Sequence, residues 1–270
     1  MYRLLAIDLD GTLLTPERKI TPRTRAAIQQ AVASGMELVI TTGQSYPALR
    51  SLCAGLPLTK PQVTCNGAVI VDPKDDTILH ETLVPLSLVH DALAALREKQ
   101  FFRVYHTNTY VYAEQGTPGA EFWYLPPAPP TVIIEDVTTI YPQPCVKLMG
   151  VGEPANVLRS LPYFEERFAG QLYVTRAASD LLEFLHPDVS KGKALARVAR
   201  MLDVAPEEIV AFGDNHNDIE MLRLAGLGIA MGNAADDVKA HADYVTQTNA
   251  EEGVAVALEE KVLPLLSSQV

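Results

Sequence analysis

Two aspartates stand two residues apart directly after a short apolar run. The run comprises residues 4–7, and Asp8 and Asp10 follow it. If the run is a strand, residues two apart project to the same side, so both carboxylates lie near its carboxyl end. Gly11 then permits a tight turn, and Thr12 offers a hydroxyl and an N–H. Taken alone, this pattern is as typical of a helix cap or a turn as it is of a catalytic site.

A second group of carboxylates favours a functional site. Asp214 and Asp218 lie in the segment 213–218, which follows another apolar run at residues 209–212. Ligands of open α/β sheets bind at the carboxyl edge of the strands, where three converging carboxylates would repel one another. A hard divalent cation relieves that repulsion, and the all-oxygen ligands favour Mg²⁺ over zinc. His216 lies in the same segment, but a lone histidine in a polar loop is more typical of a surface residue.

Such a site suits the attack of a carboxylate on a phosphate ester. Each pair of unit charges repels by about 4 kcal/mol at ~4 Å and an effective dielectric of about 20, which a metal ion offsets. Thr42 and Gly43 follow the apolar run 37–40 and supply a hydroxyl and backbone N–H groups, although a simple strand-to-helix turn has the same pattern. Lys191 lies just before a predicted helix, where a cation is unfavourable unless an anion is near. Lys193 is the alternative candidate.

The apolar periodicity predicts the elements that position these residues. Short continuous runs are typical of strands buried on both faces of a parallel sheet, and they lie at residues 4–7, 38–40 and 209–212. Helical patterns lie between them, at residues 22–34, 193–202 and 218–224. Because strands and helices alternate at both ends of the chain, we predict a doubly wound, Rossmann-like α/β domain with a parallel sheet.

The middle of the chain has a different pattern. Residues 101–114 are hairpin-like, and helical patterns occur at 86–99 and 155–168. The proline-rich stretch 126–144 is predicted to interrupt any regular element. This mixture predicts a separate α+β unit inserted into the α/β domain. The predicted organisation is a core of residues 1–83 and 188–270 with an inserted unit of residues 84–187.

Composition excludes several other classes of protein. Hydrophobic residues make up 48% of the 270 residues and charged residues 20%, which argues against disorder. The net charge of -11 disfavours binding to nucleic acid or anionic membranes. No apolar stretch approaches the ~20 residues that span a bilayer, and the amino terminus lacks the form of a signal peptide. With three cysteines and no CxxC pair, we expect a soluble, cytoplasmic protein without a structural disulfide. No pattern indicates an oligomeric state.

Four segments, in order, resemble the motifs of the haloacid dehalogenase (HAD) superfamily of phosphatases, specifically its Cof-type or IIB group. They are residues 8–14, 42–43, 190–192 and 213–222, and the resemblance covers essentially the whole chain. The first and fourth are specific, whereas the second and third gain weight from their order. The resemblance implies a HAD core and identifies the inserted unit as a IIB-type cap that covers the active site and selects the substrate.

The resemblance also implies a role for each matching residue. Asp8 is expected to be the nucleophile, and Asp10 the general acid and base. Lys191 is expected to neutralise the phosphate and the nucleophile, and Thr42 to bind phosphate. Mg²⁺ is expected to bind Asp8, the backbone carbonyl of Asp10, and Asp214.

Further residues complete the expected site. Phosphate binding is also expected of the Thr12 backbone, of Gly43 and of Asn217. Asn217 and Asp218 are alternatively expected to orient Lys191 or the metal-bound waters.

Two positions near these motifs are also informative. Asn66 and Gly67 match a family segment, for which we favour a tight turn between strands with Asn66 near the site. Gln44 stands where the family usually has arginine. This departure is expected to alter cap closure or substrate choice without abolishing activity.

The resemblance implies hydrolysis of small phosphorylated metabolites such as sugar phosphates. The alternatives are phosphoryl transfer of the phosphomannomutase kind and a catalytically quiet binding or regulatory module on the same fold. The complete set of Asp8, Asp10, Lys191 and Asp214 argues against the quiet module. A dinucleotide-binding protein is disfavoured because no GxGxxG follows the first apolar run.

Polar residues of the inserted unit are candidates for contacts to the substrate. His106, Asn108, Tyr110 and Tyr112 could face a sugar or a flat ring. On a half-buried sheet such residues are more typical of packing or of the surface.

Overall fold

The structure is a computed structural model that describes residues 1–107, 110–120 and 131–267. It divides into two compact units, one formed by Met1–His80 with Ser190–Val270 and the other by Glu81–Val189. The sequence-based prediction places the divisions after residues 83 and 187.

Strands and α-helices alternate over much of the described chain. The strands are β1 (Leu4–Asp8), β2 (Glu37–Thr41), β3 (Gln62–Thr64), β4 (Val69–Asp72), β5 (Thr77–Glu81), β6 (Phe102–His106), β7 (Val111–Glu114), β8 (Thr131–Ile134), β9 (Lys147–Val151), β10 (Tyr173–Ala178), β11 (Leu181–Leu185), β12 (Ile209–Gly213), β13 (Leu227–Ala230) and β14 (Tyr244–Val245). The helices are α1 (Pro22–Ala33), α2 (Tyr46–Leu52), α3 (Leu86–Glu98), α4 (Pro154–Arg167), α5 (Lys191–Met201), α6 (Ile219–Leu224), α7 (Asp236–Lys239), α8 (Gly253–Ala257) and α9 (Leu263–Ser267).

The first unit is built on an eight-stranded sheet with the order β14-β13-β12-β1-β2-β3-β4-β5. The strands from β14 to β3 are parallel, and β1 lies between β12 and β2. This arrangement confirms the predicted doubly wound α/β domain. The sheet is not wholly parallel, because the turn at residues 65–67 reverses the chain and pairs β3 with β4 in antiparallel fashion.

Both faces of this sheet are covered, which explains the continuous apolar runs of its central strands. Leu5 and Ile7 of β1 belong to a core that includes residues of α1, α8 and α9. Leu4 and Ala6 point to the opposite core, which includes residues of α5 and α6. Since neighbouring residues of a strand face opposite sides, every position of β1 is buried.

The described residues of the second unit form a six-stranded sheet with the order β10-β11-β9-β6-β7-β8. Its pairs are antiparallel except for β7 and β8, which are parallel. Helices α3 and α4 pack on one face, where Leu96 and Phe164 share a core with Tyr105 and Phe184. This mixture agrees with the predicted α+β character of the inserted unit.

The prediction for the proline-rich stretch 126–144 was wrong in its second half. Thr131–Ile134 forms β8, and Val137–Ile140 forms a short 3-10 helix. The eleven-residue segment TVIIEDVTTIY at 131–141 contains no proline. Its β-branched residues pair with β7 as an extended strand. Residues 126–130 lie outside the described part of the chain.

Helix starts near the predicted motifs differ by a few residues from the sequence-based limits. Helix α5 begins at Lys191 instead of residue 193, because the Ser190 side chain caps it by accepting a hydrogen bond from the N–H of Lys193 at 3.0 Å. Residues 216–218 form a 3-10 turn before α6, so the α-helix begins at Ile219. None of the helices in the described parts of the chain combines the length and the apolar composition of a membrane-spanning segment.

A glycine in the β3–β4 turn is expected to be essential for stability. Gly67 has φ +99°, and a Cβ there would lie 2.3 Å from the carbonyl oxygen of Ser190. We expect Gly67→Ala to lower the free energy of unfolding by about 2 kcal/mol or more, because alanine is strained at this positive φ and Ser190 must move. Gly35→Ala is the control, since Gly35 has φ +98° with nothing within 4 Å.

Urea unfolding of both variants, monitored by circular dichroism, measures the difference between their free energies of unfolding. Equal losses for Gly67→Ala and Gly35→Ala would show that the contact with Ser190 carries no cost of its own.

Candidate active site

The nucleophile candidate stands at the carboxyl end of the central strand. Asp8 is the last residue of β1, lies opposite Thr41 of β2 in the register, and is only 3% exposed. A carboxylate so deeply buried requires partners, since desolvation of an unpaired charge is costly.

The second pair of carboxylates follows β12, the strand on the other side of β1. Asp218 is fully buried, and its Oδ2 accepts hydrogen bonds from the backbone N–H groups of Asp214 at 3.0 Å and Asn215 at 3.1 Å. Gly213 leaves room for this side chain, because a Cβ there would lie 2.5 Å from the Cβ of Asp218. The turn thus fixes Asp214 at the edge of the sheet.

Lys191 joins the two groups of carboxylates. Its Nζ lies 2.5 Å from Oδ1 of Asp8 and 2.6 Å from Oδ1 of Asp218. All three side chains are almost completely buried. The structure therefore brings Lys191 to the carboxylates, whereas the side chain of the alternative candidate, Lys193, lies in an exposed position.

Three of these carboxylates form a compact acidic cluster. One oxygen each of Asp8, Asp214 and Asp218 lies within 4.8 Å of the other two. Burial, and then the negative charge of Asp218, raise the pKa of Asp8 well above its usual range and raise the pKa of Asp214 to about 6. Burial opposes the charge of Lys191, but Asp218 and Asp8 together raise its pKa. One lysine leaves three clustered carboxylates with excess negative charge, which fits a hard divalent cation.

The loop after β1 contacts the carboxylate of Asp214 through Gly11 and Thr12. Gly11 has φ +85°, and a Cβ there would lie 2.3 Å from Oδ2 of Asp214, so no other residue fits without movement. The hydroxyl of Thr12 donates a hydrogen bond to Oδ1 of Asp214 at 2.9 Å. Asn233 donates to the carbonyl oxygen of Gly11 at 2.9 Å. These contacts connect the loop, Asp214 and the segment after β13.

The loop after β2 approaches the β3–β4 turn. Thr42 is fully buried, and its Oγ1 accepts a hydrogen bond from the N–H of Gln44 at 3.0 Å. A Cβ on Gly43 would lie 3.0 Å from Oδ1 of Asn66. Asn66 has φ +58° and is buried. The turn predicted at Asn66 and Gly67 is therefore present, and it places the Asn66 amide beside Gly43.

Asn217 presents an acceptor in this arrangement. Its Nδ2 donates to Oδ1 of Asn66 at 3.0 Å, and its Oδ1 is buried with no hydrogen-bond partner among the described residues. An amide oxygen accepts hydrogen bonds and cannot donate one to a phosphate oxygen. The contact favours the alternative in which Asn217 orients Lys191 or a metal-bound water over direct phosphate binding.

The side chain of Asp10 is directed to a different pair of residues. Nη1 of Arg18 lies 2.8 Å from its Oδ1, and Nε2 of Gln44 lies 2.9 Å from its Oδ2. Its carboxylate is not a member of the acidic cluster. The sequence predicted Asp10 beside Asp8 but indicated neither of these partners.

The remaining candidates are His216 of the first unit and four polar residues of the second unit. His216 is exposed and contacts Asp237 at 2.7 Å, as expected of a surface residue. In the second unit His106 is buried, and burial and then the charge of Lys147 lower its pKa to about 3. Tyr110 is 40% exposed, whereas Tyr112 packs against the core of that unit, and Asn108 lies outside the described residues.

Sequence reasoning missed two residues that contact the site. Asn233 follows β13 at the same sheet edge as Asp8 and Asp214, so the strand-end argument that found those residues could also have found it. Arg18 carries no such signal, because a turn brings it back to Asp10. Asp218, which we expected to support the metal ligands, has one oxygen within the acidic cluster.

A comparison with known proteins assigns the family. Residues 5–258 match the family model described as haloacid dehalogenase-like hydrolase. The chain belongs to this family. The phosphatase YwpJ of Bacillus subtilis (strain 168) is 32% identical over 280 residues, covering 94% of this chain and 97% of the relative.

Other relatives place the chain within the family. The 5-amino-6-(5-phospho-D-ribitylamino)uracil phosphatase YcsE of B. subtilis (strain 168) is 34% identical over 265 residues, covering 97% of this chain and 96% of that protein. The solved structure of the HAD subclass IIB sugar phosphatase BT4131 has a TM-score of 0.81 at 25% identity, covering 97% of this chain and 99% of that chain. The chain is thus a phosphatase of the HAD IIB group, a phosphoric monoester hydrolase, as the sequence motifs predicted.

The acidic cluster is expected to lower stability when no metal ion is bound. The pKa of Asp214 is raised from 3.8 to about 6 in the folded state, so protonation of Asp214 stabilises the fold. This contribution to the free energy of unfolding is complete below pH ~4 and is lost as pH rises through about 6. At pH ~7.5 with EDTA, we therefore expect Asp214→Asn to raise the free energy of unfolding by about 1–3 kcal/mol.

Thermal unfolding of the two proteins from pH ~4 to ~8 measures this effect. The Tm of Asp214→Asn should exceed that of the wild type by an amount that grows with pH and levels off above about pH 7. Asp237→Asn serves as the control, because Asp237 is exposed and its contact with His216 lowers its pKa. A pH-independent difference for Asp214→Asn would contradict the electrostatic explanation.

Proposed function

We propose that this chain is a magnesium-dependent phosphatase that hydrolyses small phosphorylated metabolites, in particular sugar phosphates, through an aspartyl-phosphate on Asp8. The observation that carries the proposal is the buried arrangement of Lys191 between Asp8 and Asp218, with Asp214 beside them. Membership of the phosphatase family supports the reaction class.

The donor set supports a magnesium site. Asp8, Asp214 and the backbone carbonyl of Asp10 would hold the ion. Asp218 lies in the same cluster, but its oxygens already accept hydrogen bonds from Lys191 and two backbone N–H groups. It would therefore position Lys191 and the turn after β12 instead of binding the ion. When bound, Mg²⁺ offsets the repulsion between carboxylate and phosphate and orients the phosphate for in-line attack.

Asp8 carries the covalent chemistry in this proposal. One of its oxygens attacks phosphorus, the bond from phosphorus to the leaving oxygen breaks, and the phosphoryl group is transferred to the carboxylate. Lys191 holds Asp8 in place and its ammonium group offsets negative charge at the site. The bonds of Asp218 to Lys191 and to the turn after β12 keep the ammonium group in position.

Asp10 transfers the protons. As a carboxylic acid it gives its proton to the leaving alkoxide, and as a carboxylate it then takes a proton from water, whose oxygen attacks the aspartyl-phosphate. The phosphate oxygens are held by Lys191, by the Thr42 hydroxyl, and by the backbone N–H groups of Thr12 and Gly43. Asn217 orients Lys191 or a metal-bound water.

The names of relatives support the substrate class. YcsE is named for a phosphate ester that carries a ribityl group, and BT4131 is named a sugar phosphatase. Both names describe a phosphate on a small polyhydroxylated molecule. The net charge of -11 is consistent with a small-molecule substrate rather than nucleic acid.

Removal of the nucleophile is expected to abolish turnover. Asp8→Asn should reduce kcat with p-nitrophenyl phosphate by at least about 10⁴-fold, because an amide does not form the phospho-enzyme. The matched control is Asp236→Asn, which changes an exposed aspartate and should keep wild-type activity. Phosphate release is measured with Mg²⁺ and after addition of EDTA. Wild-type turnover by Asp8→Asn, or full activity in EDTA, would refute the proposed mechanism.

A panel of phosphorylated metabolites tests the substrate class. We expect free phosphate as the product, with the highest kcat/KM for sugar or sugar-alcohol phosphates. Phosphate retained in an isomeric hexose phosphate would indicate phosphoryl transfer. A clear preference for nucleotides or phosphopeptides would overturn the assignment to sugar phosphates.

A further inference from the structure

One backbone peptide of the loop after β1 is held by a side chain from the segment after β13. The Nδ2 of Asn233 donates a hydrogen bond to the carbonyl oxygen of Gly11 at 2.9 Å. The peptide group between Gly11 and Thr12 is trans, so its N–H points away from its carbonyl oxygen. A bond that fixes the Gly11 oxygen therefore also fixes the direction of the Thr12 N–H.

The conformation of Gly11 makes such a bond necessary. Gly11 has φ +85° and no side chain, so local sterics restrict the orientation of the following peptide only weakly. The hydroxyl of Thr12 donates to Oδ1 of Asp214 at 2.9 Å, which anchors the side chain of Thr12. The bond from Asn233 acts on the peptide group itself.

The amide of Asn233 is oriented in turn by the segment after β14. Its Oδ1 accepts a hydrogen bond from the backbone N–H of Asn249 at 2.9 Å. Because an N–H requires an acceptor, this contact fixes which end of the amide carries the oxygen and directs the NH₂ group to Gly11. The same Nδ2 also lies 3.5 Å from Oδ2 of Asp214, which is a much longer contact.

The segments after β13 and β14 pack closely against each other. The N–H of Gly232 donates to the carbonyl of Gln247 at 3.0 Å. A Cβ at Gly232 would lie 2.8 Å from the backbone nitrogen of Thr248, so a side chain there would push the segments apart. Asn249 also reaches the loop after β1, since its Nδ2 donates to the carbonyl of Leu14 at 2.7 Å. This loop is thus bound by one asparagine at each end.

We propose that Asn233 is a positioning residue that aims the N–H of Thr12 at the phosphate group. It acts through the Gly11 carbonyl and makes no contact with the substrate. This inference rests on the proposed function, in which the Thr12 N–H holds a phosphate oxygen. A donor that is already fixed in direction stabilises the charge of the transition state without the cost of reorientation.

The two asparagines provide a matched comparison. Each donates an amide N–H to a carbonyl oxygen of the same loop, but only the Gly11 carbonyl belongs to the peptide that carries the Thr12 N–H. Asn249→Ala removes the bond to Leu14 and keeps the backbone N–H that orients Asn233. If general rigidity of the loop were the only requirement, Asn233→Ala and Asn249→Ala would have equal effects.

Orthovanadate is the probe for this comparison. It resembles the five-coordinate transferred group and has no organic leaving group, so its inhibition constant Ki reports on the donors around that group. The Ki is measured against p-nitrophenyl phosphate at saturating Mg²⁺. A smaller fraction of folded protein would lower kcat but would leave this Ki unchanged.

Asn233→Ala is expected to raise the Ki of orthovanadate at least about fivefold and to lower kcat/KM to a similar degree, because the Thr12 N–H is no longer fixed. Asn249→Ala should change the Ki less than about twofold, since the peptide after Gly11 is still held. The control is Gln247→Ala, which removes an exposed amide from the same segment as Asn249 and should leave both constants unchanged.

Binding of Mg²⁺ is measured separately, because Asn233 also lies near Asp214. The rise in Tm on addition of Mg²⁺, and the Mg²⁺ concentration that gives half-maximal activity, should be the same for Asn233→Ala and the wild type. A shift in both quantities, with a normal Ki for orthovanadate at saturating Mg²⁺, would overturn the proposal and place Asn233 in the metal site instead.

The other outcomes are also distinct. Asn233 is exposed, so its replacement by alanine is expected to leave the fold intact. An unchanged Ki for Asn233→Ala, or an equal rise in Ki for Asn233→Ala and Asn249→Ala, would overturn the role of Asn233 and leave the phosphatase assignment intact. Absence of magnesium-dependent phosphatase activity in the wild-type chain would overturn the proposed function itself and this inference with it.

Discussion

The site depends on the ammonium group of Lys191 between the carboxylates of Asp8 and Asp218. All three charges are removed from water, and burial of an unpaired charge costs several kcal/mol. Each member therefore requires the others, and each comes from a different element: the end of β1, the start of α5 and the turn after β12. Correct packing of the sheet and its helices is what brings the three charges together.

Small residues make this close approach possible. Gly11 and Gly213 each leave space that an aspartate occupies, Asp214 in the first case and Asp218 in the second. Because a Cβ at either position would lie within 2.5 Å of these side chains, the carboxylates are held close despite their repulsion. The raised pKa of Asp214 is the electrostatic consequence of that packing. Binding of a cation turns an unfavourable cluster into a favourable one.

The sequence predicted the parts of the molecule that follow from local periodicity and strand ends. Continuous apolar runs predicted β1 and β12, and the carboxylates after them predicted a shared edge. Contacts through irregular backbone could not be predicted in this way. Arg18 reaches Asp10 through a turn with positive φ, and Asn217 uses its NH₂ group on Asn66, a choice that depends on the tertiary arrangement. Strand β8 was missed because neighbouring prolines dominated the local signal.

The central position of β1 has a consequence for synthesis on the ribosome. This strand is made before the inserted unit, yet one of its two neighbours, β12, is Ile209–Gly213, which is made after that unit. Until that segment leaves the exit tunnel, an apolar strand has an open edge of unpaired N–H and C=O groups. The nascent chain must therefore be protected from wrong pairing while the whole inserted unit is translated, so rare codons or truncation before residue 209 would favour aggregation.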